Sequence, residues 1–180
     1  MATLSVIIVA KNEARNIVDC VRSCSFADEI WMLDSGSTDG TQDLARQAGA
    51  QVIETDWPGY GPQQQRGIEL AQSDWVLSLD ADERISPELR QQIQDAIHAP
   101  KAQGYLIPRL SSFCGRFIHH SGWRPDHVLR LVKRSAAGFT DSLVHEQMTV
   151  QGLKGYLQSD LIHHSYRNLD DVLDKLNRYS

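Results

Sequence analysis

Trp75-Val76-Leu77-Ser78-Leu79-Asp80-Ala81-Asp82-Glu83 decides how the rest of the chain is read. A mostly apolar run stops abruptly at three acids, Asp80, Asp82 and Glu83. Apolarity without alternation is the pattern of a short strand covered on both faces. Three carboxylates at its C-terminal end cannot stay buried unpaired, so they are expected to face a cavity or a cation. Asp80 and Asp82 stand two apart, hence on the same side of an extended backbone. Two hard oxygen donors with room for water suit Mg²⁺ or Mn²⁺, which one or two protein carboxylates hold while substrate phosphates complete the shell. An isolated Asp-x-Asp is more often a solvated turn, here one leading to a helix capped by Ser86. The flanking sequence has to decide.

Upstream, Leu4 to Ala10 is a second near-continuous apolar run, rich in Val and Ile, that ends in Lys11-Asn12-Glu13. Ile17, Val18, Val21 and Cys24 follow at helical spacing. Glu29 to Leu33 is a short strand ending at Asp34. The turn-rich loop Ser35-Gly36-Ser37-Thr38-Asp39-Gly40 then supplies caps for a helix beginning near Thr41. Gln51 to Thr55 reads as a third strand. Strands alternating with helices mean βαβ units, a parallel sheet and right-handed crossovers. In such sheets ligands bind outside the carboxyl ends of the strands. Glu13, Asp34, Asp39, Asp80 and Asp82 all fall there. That coincidence of position carries more weight than any single motif.

A Gly/Pro loop, Asp56-Trp57-Pro58-Gly59-Tyr60-Gly61-Pro62, leads into a helix over 63–71 with Arg66 near its start, placed to meet an anion or simply on the surface. Pro87 after Ser86 opens a helix to about Ile97. The second half changes character. Tyr105 to Leu110 and Val128 to Lys133 read as strands around an aromatic, basic, His-rich loop holding His119, His120, Gly122 and Trp123, a candidate acceptor-recognition loop. Asp160 to His164 reads as a strand, and Leu169 to Tyr179 as an amphipathic helix with Leu169, Val172, Leu173 and Leu176 on one stripe. The chain reaches Ser180 with no helix-ending signal, and a continuation is expected.

With 180 residues, 41% hydrophobic and 23% charged, the composition is that of one globular domain with a sizeable core. A net charge of -5 argues against nucleic acid as a bulk electrostatic partner. The bases are uneven, however: Arg109, Arg116, Arg124, Arg130, Lys133 and Arg134 crowd one stretch that could bind phosphate groups locally. Three cysteines with no disulfide framework suit a reducing compartment. Cys20 and Cys24 at i, i+4 spacing read as buried rather than ligating, since no further ligands follow at zinc-finger spacing. There is no basic leader before an apolar segment and no run near the roughly 20 apolar residues of a membrane span. A soluble, cytoplasmic protein is expected, with docking at a membrane surface left open.

At these residues the chain resembles the family-2 inverting glycosyltransferases of the GT-A fold. The matching pieces are Ser5-Val6-Ile7-Ile8-Val9-Ala10-Lys11-Asn12-Glu13, Asp34-Ser35-Gly36-Ser37-Thr38-Asp39-Gly40-Thr41 and Asp80-Ala81-Asp82-Glu83, which together cover about the first half. Later pieces, Val144-His145-Glu146 and His163-His164-Ser165-Tyr166-Arg167, are similar to the bacterial lipopolysaccharide-core β-glucosyltransferases. The resemblance implies an α/β, mostly parallel sheet flanked by helices, with residues 1–100 as a nucleotide-sugar-binding half and 101–180 as a smaller acceptor-binding half. It implies transfer of a sugar, glucose by preference, from a UDP-sugar to a saccharide acceptor, the lipid-linked lipopolysaccharide inner core, at the cytoplasmic face of the inner membrane.

Residue by residue, Glu13 and Asp34 would hold the uridine and ribose, with Ala10, Ser35, Gly36 and Ala81 lining the nucleotide-sugar site. Asp80 would lie near the ribose or the metal's water shell. Asp82 would ligate Mg²⁺ or Mn²⁺, and His163 or His164 would supply a late histidine ligand or else stand in the core or on the acceptor side. Many relatives carry a Glu-Asp pair as the source of the base, where this chain has His145-Glu146, so Glu146 is assigned as base with His145 as its competitor. Arg66, Arg130 or Arg134 would add positive charge at the diphosphate. Two other readings are weighed. A nucleotidyltransferase would carry a Gly-rich phosphate loop after the first strand, where Lys11-Asn12-Glu13-Ala14-Arg15-Asn16 stands instead. A non-catalytic nucleotide-sugar-binding module would bind the donor without hydrolysing or transferring it.

Overall fold

The structure, a computed structural model, describes residues 1–139, 148–166, 168 and 171–172. In chain order the strands and helices are β1 (Leu4–Ala10), α1 (Ile17–Ser23), β2 (Glu29–Asp34), α2 (Thr41–Ala48), β3 (Gln51–Glu54), α3 (Tyr60–Leu70), β4 (Trp75–Asp80), β5 (Glu83–Ile85), α4 (Pro87–His98), β6 (Gly104–Phe113), β7 (Arg116–Phe117), β8 (His127–Lys133), β9 (Ala137–Phe139), β10 (Met148–Val150), β11 (Lys154–Tyr156) and β12 (Leu161–Tyr166).

One ten-stranded sheet runs β3-β2-β1-β4-β8-β6-β12-β5, with β7 and β11 added along β6. The first four strands of that order are parallel, as the βαβ reading requires. Their register aligns the strand ends: Ala10 pairs with Asp34, Val9 with Asp80 and Asp34 with Glu54, so the loops after β1, β2, β3 and β4 leave from one rim. Then β8 enters antiparallel to both β4 and β6. That reversal was not legible in the apolar run Val128 to Lys133, whose pattern is the same in either direction.

Strand alternation distributes the core over the two faces of the sheet. Val6, Ile8 and Ala10 join Met32, Leu77 and Leu79 on the face covered by α1 and α4, where Ile17, Cys20, Val21, Leu89, Ile93 and Ile97 are buried. Ile7, Leu33, Val76 and Val132 face the other way, onto Ile68 of α3 and Ala71 just past its end. Gly67 of α3 lies against Ile7 with no room for a Cβ. Ser86 caps α4 as expected, its Oγ accepting from Leu89 N at 3.1 Å, with Pro87 in the first turn. Cys20 and Cys24 are buried and free, and a hydrogen bond to Cys24 together with burial raises the Cys20 thiol. No helix among the described residues is long and apolar enough to cross a membrane. The helix expected over 169–179 lies outside the described residues except for 171–172.

Candidate active site

Three loops meet at the rim and are sewn together by side chains. After β1, Asn12 takes a left-handed conformation (φ 56°), its N–H donates to Ser37 Oγ at 2.8 Å and its Oδ1 accepts from Thr38 N at 2.9 Å. Glu13 N donates to Thr41 Oγ1 at 2.9 Å, and Ala14 N to Asp39 Oδ2 at 3.0 Å. Desolvation raises the Asp39 carboxyl, but the Thr41 hydroxyl and the Ala14 and Thr41 N–H groups outweigh it and hold it below its ordinary value. The third loop is tied in by Arg84, whose Nη2 donates to Asn16 O at 2.7 Å and Nη1 to Ala81 O at 2.8 Å. Residues far apart in sequence therefore form one bed at the carboxyl ends of β1, β2 and β4.

Within it, Asp34 is fully buried, and Gly36 N, Ser37 N and Gln42 Nε2 donate to its Oδ1 at 3.0, 2.8 and 2.8 Å. The Ser37 hydroxyl donates to its other oxygen. The carboxylate expected at the ribose is thus turned inward and shapes the loop, whose exposed residue beside it is Gly36. Gly36 supplies the positive φ of 85° that this loop needs. Ala10 closes β1 beneath the bed, its carbonyl accepting from Ser35 N at 3.1 Å. Glu13 is half-buried and accepts from Asn16 Nδ2 at 2.7 Å.

The β4 end departs from expectation in two ways. Ala81 and Asp82 form a turn between β4 and β5, so Asp80 and Asp82 do not share one extended backbone. The third acid, Glu83, faces no cavity: it is fully buried, and the cation it meets is a guanidinium. Its Oε2 accepts from Asp80 N at 3.0 Å, and its Oε1 accepts from Arg130 Nη2 at 2.8 Å with Arg109 Nη1 3.7 Å away. Arg130 Nη2 also donates to Asp80 Oδ2. Burial pushes the Glu83 carboxyl up against the opposing pull of Arg130, while the two carboxylates hold Arg130 above its ordinary value despite burial.

Arg130 was expected at the diphosphate. Its charge is instead spent inside the protein, fixing the β4–β5 turn. Arg134 is placed at the opposite rim, its Nε donating to Ser73 O at 2.9 Å. The basic stretch is likewise paired off at Arg109 with Asp126 and Arg124 with Asp160, which with Arg130 takes three of its six bases out of the open phosphate patch its composition suggested. Arg66 does lie at the rim after β3, on Asp56 at 2.6 Å and Gln63 Oε1 at 3.1 Å. That ion pair is well exposed and screened by water, so an anionic ligand can compete for the guanidinium.

Asp82 and His163 are brought together. His163 Nε2 lies 3.3 Å from Asp82 Oδ2, and His163 Nδ1 is 2.8 Å from Ser111 Oγ, which orients the ring from behind. His164, the alternative ligand, is committed through its backbone to Asp82 O at 2.9 Å, and its ring lies against Phe117. An oxygen and a nitrogen at this spacing match two adjacent ligands of one small cation, which for bonds of about 2.1 Å sit about 3 Å apart. Asp80 Oδ1 is buried with no hydrogen-bond partner among the described residues. No group of three His, Cys, Asp or Glu gathers into a full cage among those residues. An oxygen and a nitrogen ligand so placed suit Mg²⁺ or Mn²⁺ completed by phosphate and water. Glu146 and His145 lie outside the described residues.

Gln63, Ser111 and Arg84 were not anticipated as site residues, and Glu83 was anticipated only as one of three acids facing a cavity or a cation. Gln63 is fully buried and donates to Ser35 Oγ and Thr55 Oγ1 at 2.9 and 2.6 Å. Nothing in Gln63-Gln64-Gln65 marks that role. Glu83 was readable as an acid following a buried strand, but its partner, 47 residues away, was not.

The family model for glycosyl transferase family 2 matches residues 5–163. The lipopolysaccharide core biosynthesis glycosyltransferase LpsC of Rhizobium meliloti is 30% identical over 194 residues, covering 98% of this chain and 68% of its own length. An uncharacterised glycosyltransferase of Rickettsia felis is 30% identical over 196 residues, covering all of this chain and 68% of its own. The chain thus spans about two thirds of the length of the curated relatives it matches. Among solved structures, S. aureus TarS 1-349 superposes with a TM-score of 0.68 at 16% identity over 96% of this chain and 62% of that one, a likeness of fold. Glucosyl-3-phosphoglycerate synthase from Mycobacterium tuberculosis, in complex with Mn²⁺, UDP and glucosyl-3-phosphoglycerate, superposes with a TM-score of 0.50 at 28% identity over 63% of this chain and 45% of that one. With the GT-A sheet and the rim loops in place, these matches establish that the chain belongs to glycosyl transferase family 2.

Proposed function

We propose that the chain is the donor-binding and catalytic unit of an inverting glycosyltransferase, moving a hexose, glucose by preference, from a UDP-sugar to a lipid-linked saccharide of the lipopolysaccharide inner core. The observation that carries this reading is the meeting of Asp82 and His163 at the rim where the β1, β2 and β4 loops are tied together. The glucosyl transfer of the mycobacterial neighbour and the core biosynthesis of the Rhizobium relative supply the preference for glucose and for that acceptor. In this reading residues 1–100 bind the nucleotide-sugar and 101–180 the acceptor, and the enzyme works at the cytoplasmic face of the membrane.

The uridine and ribose rest on the bed of Glu13, Ser35 and Gly36, and Arg66 exchanges Asp56 for a phosphate oxygen. Asp82 and His163 would hold Mg²⁺ or Mn²⁺, which supplies Lewis-acid neutralisation of the diphosphate. Arg130 keeps the turn that carries Asp82 in shape. In the transfer itself, the base takes the proton of an acceptor hydroxyl as that oxygen bonds to the anomeric carbon. The bond from that carbon to the diphosphate oxygen breaks with its electron pair, releasing UDP. Glu146 is assigned as the base. Slow hydrolysis of a panel of UDP-sugars, with Mn²⁺ or Mg²⁺ present and then chelated, tests the reading. Metal-dependent UDP release from UDP-glucose above the other donors is expected, and no release from any donor would refute it.

A further inference from the structure

The long strand β6 joins the two sides of the site. Ser111, which orients His163, is followed two positions on by Phe113, and the parallel register carries both across to β12: Ser111 pairs with His163 and, past a bulge, Phe113 with Tyr166. The Ser111–His163 hydrogen bond and the Phe113–Tyr166 ring contact, centroids 5.8 Å apart, put both pairs on one face of the sheet. On β6 the two positions are two residues apart, about 7 Å along the strand, so the ring pair is a near neighbour of His163 on that face. Trp123 completes the cluster, edge-on to Phe113 at 6.2 Å and to Tyr166 at 6.5 Å, and is 37% exposed.

The loop bearing Trp123 is pinned rather than loose. Arg124 makes a two-pronged ion pair with Asp160 at 3.0 and 2.8 Å, Asp126 holds Arg109, Ile118 N donates to Ser111 O at 3.0 Å and Cys114 N to Tyr166 O at 2.7 Å. Position in the sheet also separates this cluster from the nucleotide bed. The bed is carried by β1, β2 and β4 at one side of the order, and the cluster by β6 and β12, beyond the intervening β8.

We propose that Phe113, Trp123 and Tyr166 form an acceptor subsite, a stacking platform for the apolar face of a saccharide ring, an assignment that rests on the glycosyltransferase reading above. An aromatic ring carries negative charge on its face, which attracts the weakly positive C–H bonds lining one side of a pyranose, and the stacked surfaces add dispersion. The hydroxyls at the ring edge stay in water, so an exposed indole suits this ligand better than it suits burial. One sugar ring on the platform places its neighbouring hydroxyl beside the Asp82–His163 pair, where the acceptor oxygen has to be.

The test uses the full chain and methyl glycosides of glucose, galactose, mannose and heptose as probes, read by saturation-transfer NMR and by intermolecular nuclear Overhauser contacts to the Trp123 indole. At least one glycoside should receive saturation at its C–H protons and show that contact. Its Kd should rise about tenfold or more in Trp123→Ala and return most of the way in Trp123→Phe. Tyr156→Ala, an exposed aromatic on β11, should leave that Kd unchanged. No glycoside contact in the unaltered chain, or equal Kd in Trp123→Ala, overturns the platform. Calorimetric titration with UDP is read separately: its failure refutes the glycosyltransferase reading, whereas UDP binding beside an indifferent Trp123 refutes the platform alone.

Discussion

Arg130 Nη2 donates to Glu83 Oε1 at 2.8 Å, and the same nitrogen reaches Asp80, so one buried guanidinium holds the last residue of β4 and the first of β5 on either side of the Ala81–Asp82 turn. Removing it leaves Glu83 buried and uncompensated. Arg130→Met should cost about 3–5 kcal/mol in denaturant unfolding. Pairing it with Glu83→Gln should recover part of that loss, since a neutral partner no longer needs a counter-charge. Additive losses in the double variant would show that the two residues are not coupled.

Gly67 is where α3 comes closest to β1. A Cβ there would overlap Ile7 Cγ2, and Ile7 is fully packed, so the strand side has nowhere to yield. Gly67→Ala should therefore destabilise by about 1–3 kcal/mol despite the better helix propensity of Ala. A stability equal to or above that of the unaltered chain would mean that α3 can move off the sheet.

Asp39 ties the loop after β1 to the start of α2. Its carboxyl is held below its ordinary value, so its stabilising contribution is fully present above about pH 4, the unfolded value, and is lost as pH falls through the folded one. Asp39→Asn should lower the thermal midpoint at pH 7 and lower it less at pH 3. An equal loss at both values would assign the effect to packing rather than charge.

Glu146 lies outside the described residues, and its role as base is inferred from resemblance. Glu146→Gln should leave UDP binding unaltered and lower the turnover of sugar transfer by about 10²-fold or more. An unchanged turnover, with a matching loss in His145→Gln, would move the role to His145.

Much of this was written in the sequence because it follows from periodicity. Unbroken apolar runs ending in acids gave β1, β2 and β4 and the rim they share, and Ser86-Pro87 gave the start of α4. What could not be read depends on partners distant in sequence. Whether Asp34 points inward is decided by Gln42 and Ser37, and whether Arg130 meets a phosphate or Glu83 is decided by the antiparallel entry of β8 between β4 and β6. The same run of residues fits either direction. Ser111 behind His163 likewise appears only once β6 and β12 are paired.

The central claim is that Asp82 and His163 hold a divalent cation for a nucleoside diphosphate. It is tested most directly by calorimetric titration of UDP into the unaltered chain and into Asp82→Asn, each with Mn²⁺ and with chelator. Mn²⁺ should tighten UDP binding in the unaltered chain by about tenfold or more, as expected for direct metal–phosphate contact, and Asp82→Asn should abolish that gain. UDP affinity indifferent to both the cation and residue 82 would contradict the account.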